Sequence, residues 1–138
     1  MSVSFMIVDS TNKLVKNVVE EWFDGDLFQV NTLELNVSNT NACVIANLLG
    51  FGPIEDGYIE ITDVARLEQR CREELAVLHS APELDRGRVS KEWPREPGKV
   101  TVIECARSDG YFTQRLEELR KLAEYCLLNV EGGKIIGI

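Results

Sequence analysis

The sequence is poor in the groups that mark familiar chemistry. It has one histidine, His79, and four cysteines, Cys43, Cys71, Cys105 and Cys126, none closer than 21 residues to the next. Structural zinc sites need thiolates and imidazoles paired at short spacing, so this pattern excludes the common zinc modules. A Cys–His nucleophile pair would have to recruit His79, which falls at the end of a charged helix. Neither a Walker-type loop, a Gly-x-Ser-x-Gly elbow nor a dinucleotide fingerprint after a strand is present. No metal and no cofactor is expected, and catalysis is not the expected function.

Long apolar runs are also lacking. The longest uncharged one, Ala42 to Phe51, falls well short of the ~20 residues of a membrane span. The start, Met1-Ser2-Val3-Ser4-Phe5-Met6-Ile7-Val8-Asp9, carries no basic region and meets an acid early, unlike a secretory signal. A cytoplasmic protein without a membrane partner is expected, with cysteines as reduced, small hydrophobes of the core.

Bases are scarce as well. The chain has 15 lysines and arginines against 23 aspartates and glutamates, a formal net charge of −8. Nucleic-acid binding draws on a basic stripe that displaces counterions from phosphates. Arg66, Arg70 and Arg72 come nearest to one, but Glu68, Glu73 and Glu74 are interleaved on the same predicted helix. Nucleic acid is not an expected partner.

What is present is ordinary globular material. Hydrophobic residues make up 44% and charged residues 28%, enough for one core in a single domain over 1–138. Ser4 to Val8 reads as a strand closed by Asp9-Ser10-Thr11-Asn12. Val15 to Phe23 reads as a second strand, although Leu14, Val15, Val18, Val19 and Trp22 also fit a helical stripe. Asp24-Gly25-Asp26 is a hairpin signal, and Leu27 to Val37 then alternates as a third strand. Asn39 or Thr40 is suited to cap a helix facing inward with Ala42, Ile45, Ala46 and Leu49, ended by Gly50.

Tyr58 to Ile61 is a short edge strand or a packed connection. Thr62 is suited to cap the next helix, whose stripe is Val64, Leu67, Cys71, Leu75 and Leu78. Three of the four prolines, Pro82, Pro94 and Pro97, fall within 80–98, which reads as a long loop. Val100 to Cys105 is a β-branched strand. Ser108-Asp109 then opens a helix with the stripe Phe112, Leu116, Leu119, Ala123 and Cys126, and Glu117 with Lys121 on its outer face. After the turn Glu131-Gly132-Gly133, Lys134 to Ile138 returns as a strand. The order β-β-β-α-α-β-α-β points to an α+β fold, an antiparallel or mixed sheet with about three helices. A right-handed crossover would set the last two strands parallel. Val102, Leu116, Leu119, Leu67, Leu75 and Ile45 are the expected core.

Two strand-to-helix junctions are the candidate binding residues. The first, Asn36-Val37-Ser38-Asn39-Thr40-Asn41, sets Asn36, Ser38, Asn39 and Asn41 where helix N–H groups lack partners. The same residue types serve as caps and Asx turns for backbone reasons alone. The second is Arg107-Ser108-Asp109-Gly110-Tyr111, with Arg115 one turn beyond Tyr111. If both junctions meet at one sheet edge, Asp109, Tyr111 and Arg115 would close a polar cleft with the asparagines.

Asn36 to Ala42 followed by Leu48-Leu49-Gly50-Phe51 resembles a segment of small uncharacterised bacterial and phage-associated proteins: a strand, Asn-x-Ser-Asn-x-Asn-Ala, and a helix ending in Leu-Leu-Gly. The block around Cys105, Gly110-Tyr111 and Arg115-Leu116 is similar to a second shared segment. The resemblance spans about 35 residues and implies that both junctions serve one site, with no reaction attached.

The expected function is an acidic binding or regulatory module with a protein partner. The alternative is a small-ligand-binding protein or enzyme built on the polar cleft at Asn36–Asn41 and Asp109–Tyr111. The cysteine reading has a direct check. Intact-mass measurement on fresh protein should give the mass of four free thiols, and loss of four hydrogens would contradict it.

Overall fold

A computed structural model of the chain describes residues 2–15, 34–80, 83–85, 89–93, 100–102 and 111–138. The elements are β1 (Ser2–Val8), β2 (Glu34–Ser38), α1 (Asn39–Leu49), β3 (Ile59–Ile61), α2 (Val64–Ser80), β4 (Glu83–Asp85), β5 (Val89–Trp93), β6 (Val100–Val102), α3 (Tyr111–Asn129) and β7 (Lys134–Gly137). The fold is α+β, and every described strand pair is antiparallel.

The main sheet has the order β2-β1-β7-β3. Alternation along β1 selects the inward face: Val3, Phe5 and Ile7 are buried, with Ser4 and Met6 between them only partly so. Register carries that face across the sheet, since Ile7 opposes Ile135 and Ile135 opposes Ile61. Gly137 opposes both Phe5 and Ile59 on the same face. A Cβ there would lie 2.8 Å from Ile59 Cγ2 and 3.0 Å from Val3 Cγ1, so the missing side chain admits its neighbours.

Helices α1 and α3 lie on this face, and α2 packs on α3 and α1. The expected stripe of α1 is buried throughout, at Ala42, Ile45, Ala46 and Leu49. Val64, Leu67, Cys71 and Leu75 of α2 are buried, as are Leu116, Leu119, Ala123 and Cys126 of α3. Leu122 and Tyr125 widen the buried band of α3 beyond the expected stripe. Across the α2–α3 seam, Arg120 lies 3.9 Å from Glu68, which also pairs with Arg72 at 2.9 Å.

The end of α1 is closed by its own sequence and then gripped by α2. Gly50 takes φ +81°, and the N–H groups of Gly50 and Phe51 donate to Asn47 O (3.1 Å) and Ala46 O (2.8 Å), a Schellman closure. No base occupies the last turn of α1. Arg70 of α2 supplies the cation instead, donating to Leu48 O at 3.0 Å and Leu49 O at 3.4 Å. The same guanidinium pairs with Glu74 at 2.5 Å and with Glu73, while Arg66 stacks over Phe51 at 5.1 Å. Glu74 is 1% exposed, a buried carboxylate tolerated because Arg70 pairs with it.

Several expectations are corrected. The cap of α2 is Asp63, not Thr62: Asp63 Oδ1 accepts from Arg66 N at 3.1 Å, and Asp63 O accepts the first helical bond from Leu67 N. In α1, Asn39 and Thr40 are already helical, so the capping position passes to Ser38. The stretch 80–98 is not a plain loop. It contains β4 and β5, paired in antiparallel register with Asp85 opposite Val89, and β5 continues the pairing to β6. The prolines suggested a loop; Pro82, Pro94 and Pro97 themselves lie outside the described residues. Accordingly β6 belongs to the sheet β4-β5-β6 and β7 to the main sheet, so the expected parallel crossover between them is not formed. Tyr58 to Ile61 resolves as the edge strand β3.

The strand over Val15 to Phe23, the hairpin at 24–26, and residues 103–110 lie outside the described residues. Leu14 and Val15 are the exception at the margin: Leu14 bridges Val8, and Val15 N donates to Ile7 O at 3.0 Å.

Among the described residues no helix is long and apolar enough to cross a membrane. Cys43, Cys71 and Cys126 are free thiols. Burial pushes Cys71 up to about 12 and Cys126 up to about 11, which keeps both protonated and unreactive at neutral pH. The packing of α3 makes a quantitative claim. Leu119→Ala should cost about 2–5 kcal/mol in equilibrium unfolding, because Leu119 is buried between sheet and α2; wild-type stability would show that α3 packs differently.

Candidate functional site

The sheet topology fixes where the two sequence-derived junctions fall. β2 ends at Ser38 opposite Ser2, and β7 ends beside Ser4, where Ser4 N donates to Ile138 O at 2.7 Å. α3 is joined to β7 by the short turn 130–133 and contacts β1, β2 and β7, so it runs back along the sheet. The start of α3 therefore lies at the sheet end at which α1 begins.

Not all of the candidate residues share a face there. Asn36 and Ser38 occupy register positions opposite Ser4 and Ser2, alternate to the helix-covered positions of Val3 and Phe5. Asn39 and Asn41 are in the first turn of α1, with Asn41 half-buried. Arg115 is half-buried in α3, and its Nη1 donates to Gln114 Oε1 at 3.1 Å. Asp109 lies outside the described residues. The asparagine run is thus divided between a strand face and a helix start.

A different concavity lies at the opposite end of the sheet, where Val8 opposes Lys134 and Ile61 opposes Ile135. A groove of about 370 Å³ is bounded there by the start of α2 and by the end of α3 with its turn into β7. Thr62 to Ala65 form one wall, and Cys126, Leu127 and Val130 to Gly133 the other. Local chemistry explains its shape. Asp63 must stay at the rim because its carboxylate caps α2. Val130 N donates to Cys126 O at 3.0 Å and Gly133 N to Val130 O at 3.1 Å, which folds the turn tightly under the helix end.

The exposed side chains around the groove are unusual for a helix terminus. Leu127 is 49% and Leu128 64% exposed, and no base occupies the last turn of α3. Two acids, Asp63 and Glu131, are exposed on the two walls. The groove therefore offers apolar contact beside negative charge. Compared with known families, curated proteins and solved structures, the chain matches none. The resemblance of the two junction blocks accordingly rests on those residues alone.

Among the described residues no three His, Cys, Asp or Glu side chains gather as metal ligands. Cys126 lines the groove, but its raised pKa and burial make it packing material rather than a nucleophile. The arrangement suits recognition of a partner's side chains better than proton transfer or nucleophilic attack. Its sequence signal is Leu127-Leu128, two apolar residues in succession at the end of a helix whose outer face is otherwise charged and whose last turn holds no base.

Proposed function

We propose that the protein is a non-catalytic, acidic binding module that docks a protein partner on the groove between the start of α2 and the α3–β7 turn. The observation that carries this reading is the groove wall itself, where Leu127 is 49% exposed beside Val64 and Val130, with Leu128, 64% exposed, next to it along α3. A lone exposed leucine is unremarkable, whereas two in succession, one of them lining a concavity, mark an interaction surface. The net charge of −8 keeps the free module soluble and biases it toward partners of opposite sign.

The alternative, a small-ligand cleft at the two strand-to-helix junctions, is favoured by one observation: α1 and α3 begin at the same end of the sheet. It is weakened by the division of Asn36 and Ser38 from Asn39 and Asn41.

Site-specific photo-crosslinking in cells separates these readings. A photoreactive residue replacing Leu127 should give one discrete protein adduct, and the same residue replacing Glu117, nearer the start of α3, should not. Equal labelling from both positions, or none from position 127, would contradict docking at the groove.

A further inference from the structure

The chemistry of the groove also restricts what can dock there. This inference rests on the docking reading above and adds the class of partner. We propose that the groove receives a cationic amphipathic segment of a partner protein, with an apolar side chain seated against Leu127 and Val130 and Lys or Arg side chains on Asp63 and Glu131.

Four features of the site converge on positive charge in the ligand. Asp63 and Glu131 stand on opposite walls, so a chain lying along the groove passes between two carboxylates. No Lys or Arg is among the lining residues. The positive end of α2 is already answered, since the Asp63 carboxylate accepts from Arg66 N at 3.1 Å. The negative end of α3 has no cation of its own, because its last turn contains no base and the side chain that donates there, Asn129 Nδ2 to Tyr125 O at 3.2 Å, is neutral. A base from outside would complement it in the way that Arg70 of α2 complements the end of α1, by donating to Leu48 O and Leu49 O. The same molecule thus shows how a helix end without its own cation is completed by one from a neighbouring segment.

The apolar half of the ligand follows from the walls. Val64, Leu127 and Val130 border the groove, and its volume of about 370 Å³ accommodates one or two aliphatic side chains rather than a whole helix. The fit is therefore a short amphipathic segment with an anchor and flanking bases, not an extended interface.

The test uses the full chain and a set of fluorescent 15-residue peptides read by anisotropy at about 150 mM salt, where charges beyond ~8 Å are screened. One peptide is built of Leu and Lys in helical alternation; the others replace every Lys by Gln or by Glu. The Leu/Lys peptide should bind and the Leu/Glu peptide should not. The double variant Asp63→Asn, Glu131→Gln should weaken Leu/Lys binding about fivefold and flatten its salt dependence, two exposed ion pairs being lost. Asn at position 63 preserves the helix cap. Glu117→Gln, which removes one negative charge elsewhere on α3, should leave binding unchanged, and Leu127→Ala should weaken it.

Equal binding by wild type and the double variant, or equal weakening by Glu117→Gln, would overturn the proposal and reduce any binding to net charge. Preference for the Leu/Gln peptide would overturn the cationic class while leaving the docking surface standing. Loss of the position-127 crosslink would instead remove the docking reading itself, so the two failures are distinguishable.

Discussion

The guanidinium of Arg70 is the joint on which the helical layer depends. It reaches from α2 to the last carbonyls of α1 and at the same time neutralises Glu74, which is almost wholly buried. Neither contact is strong as a surface ion pair, but burial changes the arithmetic. A buried carboxylate is tolerated only with its partner, so Glu74 requires Arg70, and Arg70 requires the end of α1 to be where Gly50 stops it. With Arg66 stacked on Phe51 one turn earlier, two arginines of α2 fix the direction in which the chain leaves α1. That placement sets α2 against α3, and the meeting of the α2 start with the α3 end forms the groove.

Elements with clean periodicity were legible in the sequence. The stripes of α1, α2 and α3 and the alternation of β1 are each strong enough that packing had only to accept them. Gly50 was readable as a helix stop because only glycine takes that φ without cost. The 80–98 stretch was misread because proline was weighed as a breaker of the whole stretch, while β4 and β5 form within it. Thr62 and Asp63 are both good caps by type, and the geometry of the helix start decides between them. Glu74 looked like one more solvated acid of a charged face. Its burial follows from what packs on α2, which is a tertiary fact that no local window contains.

The functional site was the least legible part. Polar residues at strand-to-helix junctions attract attention because they are rare types in a suggestive place, yet caps need the same side chains. The groove at the other end of the sheet is made of commonplace residues. Its meaning comes from three segments distant in sequence meeting there: Thr62–Ala65, Cys126–Leu127 and Val130–Gly133. What the sequence did carry was the negative imprint, two leucines where a charged row and a basic helix end would be ordinary. The acid that caps α2 is also a wall of the groove, so the proposed docking would link recognition to stability at Asp63.

The claim that Arg70 joins the layers is tested most directly by equilibrium unfolding of Arg70→Met beside the double variant Arg70→Met, Glu74→Leu. Removing the guanidinium alone takes the pairing cation from the buried Glu74 and the donor from the end of α1, and should cost about 3–5 kcal/mol. Replacing both members should restore a substantial part of that loss, because the carboxylate at position 74 is gone as well. An Arg70→Met variant within about 0.5 kcal/mol of wild type, the range of a neutral surface change, would contradict the account.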